Sequence, residues 1–359
     1  MLTIIDRYLA KNFLLFFISG LIVFLTIFLA IEFTSTSMRF NVGFDVLARY
    51  YSYYLPIILY QLLPVAAMIG TLFTLSSLNR NSELVALFSL GLSLARISLP
   101  ILAMIGFICV LTFWVGDRLV PVFAQKRNYV YYVEMKKKPG LYSTVRENKI
   151  WYRSENSIFN IQTLNAEKGL AQGITLYYFN ADWDLKQLIK AKNVIMSDRT
   201  WTLEDGTVTL FLEETNFPMT KEFGKKTLTM SEDLADIGSS SPSSDAMSAT
   251  ELRKFIQKNK EAGLDTLKYE VDFHKKMSFA FAGLILSLMG IPFTVQKSRS
   301  GGNMLSIGVS LAAAFSYWLV FSTSLAMGTH GVLPPVVAAW APNVLMGGLA
   351  TYLLLRLKK

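Results

Sequence analysis

Hydrophobic residues in this chain are gathered into six long blocks, and the stretches between the blocks are polar. The blocks cover residues 13–31, 50–78, 97–116, 277–295, 304–326 and 332–355. A helix needs about 20 apolar residues to cross roughly 30 Å of hydrocarbon. The first block has 19 residues and no charged side chain, and the other blocks have comparable lengths. The pattern therefore predicts six transmembrane helices.

The segment between the third and fourth blocks, residues 118–276, has a shorter hydrophobic period. Seven stretches alternate or are rich in β-branched and aromatic residues: 149–153, 157–163, 173–179, 185–191, 193–197, 201–204 and 207–212. Turn-forming residues occur at 180–182 and 204–206. Closely spaced short strands predict an antiparallel sandwich or jelly roll. The expected fold class is an α-helical membrane protein with six transmembrane helices and an inserted β-jelly-roll-like domain.

A strap and a helix are predicted after these strands. Residues 237–247 are rich in Ser, contain a Pro and cannot build a core, so we expect a flexible strap. Ser248 and Glu251 have the spacing of a capping box for a helix over 248–259, and Gly263 is its expected stop. The segments are then helices one to three in 1–117, the β domain in 118–235, strap and helix in 236–270, and helices four to six in 271–359.

Basic residues set the orientation of the helices. They flank alternate loops and both chain ends: Arg7, Lys11, Arg80, Arg96, Lys297, Arg299, Arg356, Lys358 and Lys359. The positive-inside rule places these segments in the cytoplasm, so residues 118–276 are expected outside it. The first block is longer than a signal-peptide core and lacks a small-residue cleavage site, which favours a retained signal anchor.

Composition limits the chemistry. Hydrophobic residues make up 52% of the 359 residues. The net charge of +9 is explained by the basic residues expected on the cytoplasmic side, so no nucleic-acid partner is needed to explain it. The single cysteine, Cys109, lies inside the third block, and neither a disulfide framework nor a metal site is expected. The mixed-charge stretch 269–276 contains His274, but ion pairing explains it better than catalysis. Without a nucleophile motif or a G-x-x-x-x-G-K-[ST] loop, we expect no catalytic residues and no ATP site of that kind.

A short helix is predicted between the second and third blocks. Ser82 can cap it, and Glu83 lies at its positively polarised start. An apolar stripe at helical spacing follows, and a glycine ends the element: Leu84, Leu87, Phe88 and Gly91. This pattern is typical of a docking surface for a partner. The alternative is an interfacial helix that lies on lipid with Glu83 facing water.

A basic cluster follows the third block. Arg118, Lys126 and Arg127 lie where that helix leaves the membrane, and cations at this position can bind the phosphates of an anionic lipid headgroup. Ordinary interfacial anchoring by long basic side chains explains the same residues.

Four stretches carry a family resemblance: D-R-Y-L at 6–9, N-S-E-L-V-A-L at 81–87, R-N-Y at 127–129, and G-L-D-T-L-K-Y-E-V-D-F-H-K-K at 263–276. With the six-helix layout, they resemble the LptF/LptG (YjgP/YjgQ) lipopolysaccharide export permease family over essentially the whole chain, and its LptG members more than its LptF members. The resemblance implies a non-catalytic permease subunit in a Gram-negative inner membrane. Such a subunit extracts lipopolysaccharide from the outer leaflet and passes it to a periplasmic bridge.

The same resemblance implies partners and residue roles. The partners would be an LptF-like sister permease, an LptB-like ATPase dimer that holds the ATP and Mg²⁺, an LptC-like bitopic protein and an LptA-like bridge. Glu83 would dock the ATPase, while Arg127, Lys126 and Arg118 would face lipopolysaccharide phosphates. Two alternatives remain for this chain: it is the LptF sister subunit of the same complex, or it is a membrane-anchored periplasmic scaffold.

Two positions depart from the family pattern. LptG members carry a lysine near the outer end of helix one, where this chain has Glu32, and a basic residue near the start of helix two, where it has Ile57. We therefore expect rearranged headgroup contacts that use Arg39.

Overall fold

The structure is a computed structural model that describes residues 4–137, 143–146, 149–153, 157–165, 169–180, 182–197, 199–211, 217–230, 243–261, 265–295 and 302–356. Its contacts divide the chain into two units. The helical unit consists of Met1–Arg39, Leu55–Val120 and Leu267–Lys359, and the β unit of Phe40–Tyr54 and Pro121–Thr266.

Helices occur before and after the β-rich segment. They are α1 Ile4–Arg39, α2 Phe44–Arg80, α3 Glu83–Ser89, α4 Leu94–Trp114, α5 Val120–Tyr129, α6 Ala249–Glu261, α7 Leu267–Ala280, α8 Ala282–Val295, α9 Gly302–Thr329 and α10 Pro335–Arg356. The π-helical turns Val115–Leu119 and Val130–Met135 make α4 and α5 parts of one 42-residue helix, Leu94–Met135.

The predicted membrane helices are confirmed. In the described residues, five helices are long and apolar enough to span a membrane: α1, α2, the continuous α4–α5 helix, α9 and α10. The pair α7 and α8, bent by 47°, makes a sixth when it is counted as one span. The chain is therefore a multi-pass membrane protein with an inserted β domain, as the hydrophobic blocks predicted.

Close helix contacts in the helical unit depend on small residues. A Cβ added to Gly20 would lie 2.8 Å from a side-chain carbon of Ile69, and one added to Gly70 would lie 3.0 Å from the Phe13 ring. Lipid gives no hydrophobic force between membrane helices, so their association depends on close packing. Small residues permit this packing because the backbones can approach. Glycines on both helices therefore allow α1 and α2 to pack closely.

A buried polar network joins three helices of this unit. The Tyr317 hydroxyl of α9 donates to Asn343 Oδ1 of α10 at 2.8 Å. Asn343 Nδ2 then donates to the carbonyl of Ser278 on α7, also at 2.8 Å. Asn343 is only 5% exposed, so these bonds satisfy an amide that hydrocarbon would leave unpaired.

The β unit contains one antiparallel sheet. Its described strands are β1 Ser143–Arg146, β2 Lys149–Arg153, β3 Ser157–Asn165, β4 Leu170–Phe179, β5 Leu185–Ser197, β6 Thr200–Leu210 and β7 Met219–Thr229. They pair in sequential order from β1 to β7. Core residues such as Phe159, Leu176 and Trp201 are at most 1% exposed, and the Phe159 and Trp201 rings meet edge to face at 5.2 Å.

Strand boundaries differ from the prediction in three ways. The first and last strands, β1 and β7, were not predicted. The predicted strands 185–191 and 193–197 form one strand, β5, and the two predicted strands within 201–212 share β6. The turn predicted at 204–206 is wrong, because Asp205 lies inside β6 at a φ of 53° and pairing resumes beyond it. The turn at 180–182 is confirmed in its described part, where Asp184 N donates to Asn180 Oδ1 at 2.7 Å.

Helix α6 begins with the predicted capping box. Ser248 N donates to Glu251 Oε2 at 2.8 Å, and Glu251 N donates to Ser248 Oγ at 3.3 Å. Leu252 and Phe255 are buried on one face of the helix. The expected stop at Gly263 and residues 237–242 of the predicted strap lie outside the described residues.

Candidate functional site

The short helix α3 follows directly after α2. Ser82 precedes it at a φ of 60°, and within the described residues its side chain makes no capping hydrogen bond. The predicted Ser82 cap is therefore wrong, because the chain needs a left-handed residue here to turn out of α2. At the other end Gly91 has a φ of 79°, and its N–H donates to the Phe88 carbonyl at 2.9 Å. This is the left-handed glycine that commonly ends a helix.

Glu83, the first residue of α3, is held by two neighbours. The Tyr8 hydroxyl of α1 donates to Glu83 Oε2 at 2.9 Å. Asn81 Nδ2 donates to Glu83 Oε1 at 3.3 Å. Both carboxylate oxygens thus have partners, and the side chain keeps a defined orientation while it stays accessible to solvent.

The apolar residues of α3 differ in their exposure. Leu84 is 1% exposed and belongs to the core cluster that contains Leu9 and Ile97, and Leu87 packs against that cluster. Phe88 is exposed, together with two residues that the sequence pattern did not single out, Val85 and Leu90. Leu84 therefore anchors α3 to its own helical unit, while Val85, Phe88 and Leu90 leave apolar surface exposed beside it.

A salt bridge lies beside α3. Arg96 of α4 binds Asp6 of α1 through both guanidinium nitrogens, with Nη1–Oδ1 at 2.7 Å and Nη2–Oδ2 at 3.0 Å. Asp6 is 5% exposed. Bidentate pairs of this kind add geometric specificity to charge attraction. The spacing of 90 residues explains why no local pattern indicated the pair.

The β unit brings two of the predicted basic residues together. The Lys126 ammonium lies 5.7 Å from the Tyr53 ring centre, and the Arg127 guanidinium lies 5.1 Å from that of Tyr54. Arg127 Nη2 also donates to Asn128 Oδ1 at 2.9 Å. Cation–π contacts of this distance orient a cation without neutralising it, so these cations can still bind an anion.

The other predicted headgroup residues belong to the helical unit. Arg118 lies in the π turn Val115–Leu119 with a largely exposed side chain 3.9 Å from Asp117. Arg39 is the exposed last residue of α1.

Three other residues that the sequence singled out also lie in the helical unit. Ile57 is buried, and Glu32 is half-buried on α1. The His274 ring on α7 packs edge-on against Phe273.

Comparison with known proteins covers nearly the whole chain. The family model described as "Lipopolysaccharide export system permease LptF/LptG" matches residues 7–356. The lipopolysaccharide export system permease protein LptG of Escherichia coli K12 is 23% identical over 311 residues, which cover 82% of this chain and 81% of that protein. LptG of Haemophilus influenzae Rd is 22% identical over 299 residues, with the same coverage. Since the family match includes both the helical and the β unit, this chain belongs to the LptF/LptG family of lipopolysaccharide export permeases.

Proposed function

We propose that this chain is a permease subunit of an ABC transporter that extracts lipopolysaccharide from the outer leaflet of the inner membrane and passes it to a periplasmic bridge. Family membership supports the substrate. The proposed mechanism depends on one observation: α3 is fixed to the helical unit and presents a carboxylate and apolar side chains.

The orientation follows from the distribution of charge. Basic residues lie at three helix ends: Arg80 is the last residue of α2, Arg96 lies in the first turn of α4, and Arg356 is the last residue of α10. The positive-inside rule assigns these ends and both termini to the cytoplasm. The β unit, inserted after the third span, is then periplasmic, in a Gram-negative inner membrane.

The energy of transport must come from another subunit. Exposing an acyl chain to water costs about 0.8 kcal/mol per CH₂, or roughly 10 kcal/mol for twelve carbons. Moving the same chain from a bilayer into an apolar cavity costs little. We therefore assign ATP and Mg²⁺ to an LptB-like ATPase dimer and treat this chain as non-catalytic.

Helix α3 is the proposed docking site for that ATPase. Glu83 supplies the charge, and the exposed side chains of Val85, Phe88 and Leu90 supply the apolar contact, while buried Leu84 passes displacement to the helical unit. Gly91 ends the helix so that this face stays short. An apolar centre beside one oriented charge is a common arrangement in protein interfaces.

Arg127 and Lys126 are the proposed contacts for lipopolysaccharide phosphates, with Arg118 and Arg39 as further candidates. The tyrosines beneath Lys126 and Arg127 restrict the two side chains before a phosphate arrives, which lowers the entropy cost of binding. The remaining proposed partners are an LptF-like sister permease, an LptC-like bitopic protein and an LptA-like bridge.

Charge reversal at Glu83 tests the proposal. The transporter, purified with its sister permease and ATPase, is compared as wild type, Glu83→Lys and Glu83→Gln, with Glu261→Lys in α6 as the matched control. We expect Glu83→Lys to weaken ATPase association by at least about tenfold, because like charges across an interface cost several kcal/mol. Lipopolysaccharide release should fall in parallel. Normal release with Glu83→Lys would refute the docking role and favour a periplasmic scaffold instead.

A further inference from the structure

The sheet of the β unit carries an interruption that crosses five strands. Each ladder from β3 to β7 omits one pair, and the omitted residues form a continuous line: Gln162, Gly173, Lys192, Asp205 and Gly224. The pairs that flank it include Ile161↔Ile174 and Thr163↔Gln172 between β3 and β4, and Ala191↔Gly206 and Asn193↔Glu204 between β5 and β6. The register is the same on both sides, so every strand contributes one unpaired residue to the same line, which we call the crease.

Side chains change faces at the crease. In β4 the buried residues Ile174 and Ala171 are separated by an odd number of positions, as are Ala191 and Val194 in β5. A regular strand alternates faces at every residue, so an odd separation requires a local irregularity. Gly173 at a φ of 64° and Asp205 at 53° are where the backbone supplies it.

A wide, solvent-open cavity of about 1100 Å³, with both polar and apolar lining, lies along the crease. Its lining residues include Gln162, Gln172, Asn193 and Glu222, all of them exposed, and the half-buried Phe223. Within the described part of the chain, none of these amide or carboxylate side chains has a hydrogen-bond partner. The cavity thus contains donors and acceptors that are available to a ligand.

Backbone forms part of the cavity wall. A Cβ at Gly206 would collide with the carbonyl oxygen of Lys190 and the ring of Phe223, and one at Gly173 would collide with the Gln162 side chain. Glycine at these positions lets the neighbouring strands and their side chains pack closely along the crease. The cavity volume of about 1100 Å³ is large enough for several sugar rings and far larger than an ion needs.

The chemistry of the lining indicates the ligand class. Two lysines and two carboxylates leave the lining without net charge, which argues against a site built for a phosphate. Amides both donate and accept hydrogen bonds, carboxylates accept them, and an aromatic ring offers an apolar face. Alternating hydroxyl and C–H surfaces, as on a sugar ring, satisfy this combination.

We infer that the crease cavity is a saccharide-binding site, whose ligand is the oligosaccharide portion of the exported lipid. The saccharide class rests on the cavity, and the source of the sugar rests on the proposed function. The polar part of lipopolysaccharide would then contact the β unit through sugar hydroxyls, separately from the phosphate contacts proposed at Arg127.

Binding of delipidated oligosaccharide tests the inference. The full chain in nanodiscs is titrated with the core oligosaccharide released from lipopolysaccharide by mild acid, and with maltoheptaose as an unrelated glycan, while saturation-transfer NMR identifies the bound sugar protons. The double variant Asn193→Ala/Glu222→Ala should weaken oligosaccharide binding by about tenfold, because at least two hydrogen bonds are lost. The matched control Ser197→Ala/Lys221→Ala changes exposed residues of the same strands outside the cavity and should bind as the wild type does.

Each outcome decides between the two parts of the inference. Absence of saccharide binding to the wild type, or equal weakening in the control, overturns the site. Equal affinity for both glycans supports a saccharide site and overturns its assignment to the exported lipid. If the cavity variant loses oligosaccharide binding but export is normal with Glu83→Lys, the saccharide site is supported and the proposed ATPase docking is refuted. Thermal unfolding of both double variants checks that they are folded.

Discussion

Two leucines on or beside α3 should separate stability from docking. Leu84 is 1% exposed, whereas Leu90, just after the helix, is 74% exposed. Truncating a leucine in a packed core costs about 2–5 kcal/mol, since it removes apolar contacts and leaves a cavity. Truncating an exposed leucine changes folding stability by no more than about 0.5 kcal/mol. Leu84→Ala should therefore destabilise the free chain, and Leu90→Ala should not.

Docking should show the opposite sensitivity. A leucine that becomes fully buried in an interface contributes about 1.5–3 kcal/mol, which corresponds to roughly 10- to 100-fold in affinity. Leu90→Ala should weaken ATPase binding by this amount. The assays are thermal unfolding of the purified chain and titration with the ATPase, both in the same detergent. The reasoning is refuted if Leu90→Ala binds the ATPase with wild-type affinity, or if Leu84→Ala unfolds at the wild-type temperature.

Three further substitutions test the fold. Asn343→Leu should destabilise the helical unit by about 1–2 kcal/mol, because the Tyr317 hydroxyl loses its acceptor in an apolar environment; an unchanged unfolding temperature in detergent would contradict the buried network. Ser248→Ala should cost about 1 kcal/mol at the start of α6, and hydrogen exchange in that helix should rise, whereas unaltered exchange would exclude the capping box. Gly206→Val should destabilise the β unit by about 1–3 kcal/mol, because the new side chain meets the Lys190 carbonyl and the Phe223 ring. Limited proteolysis should then cleave this unit faster, and equal cleavage rates would show that the crease tolerates bulk.

The membrane architecture could be predicted from the sequence because its signal is strong. Hydrocarbon requires an apolar surface over the whole length of each span, so a block such as residues 13–31 needs no detailed periodicity to identify it. Helix ends were less predictable. Helix α1 extends to Arg39, since a helix continues into the polar region as long as its backbone bonds are satisfied.

The strands were less predictable because the crease resembles a turn in sequence. Asp205 and Gly206 have the composition of a tight turn, and Gly173 supplies another turn-like position inside a strand. Local composition cannot distinguish a chain reversal from a strand that changes faces and continues. The difference is made by pairing with neighbouring strands, which no short sequence window contains.

The candidate site shows a similar limit. Spacing predicted that Leu84, Leu87 and Phe88 form one apolar stripe, but an apolar stripe does not specify whether its contact lies within the chain or on a partner. The structure assigns Leu84 to the chain's own core. The Asp6–Arg96 pair was missed for a related reason, because contacts between distant segments leave no local spacing.

The start of α1 gives α3 a mechanical connection to the first span. Tyr8 binds the carboxylate of Glu83, and two residues earlier Asp6 binds Arg96 at the beginning of α4. A partner that displaces α3 must therefore either move the start of α1 with it or break the bond from Tyr8. The bidentate Asp6–Arg96 pair resists separation of α1 from α4 at the same level. If the ATPase docks on α3, its displacement consequently reaches a membrane-spanning helix without passing through the β unit.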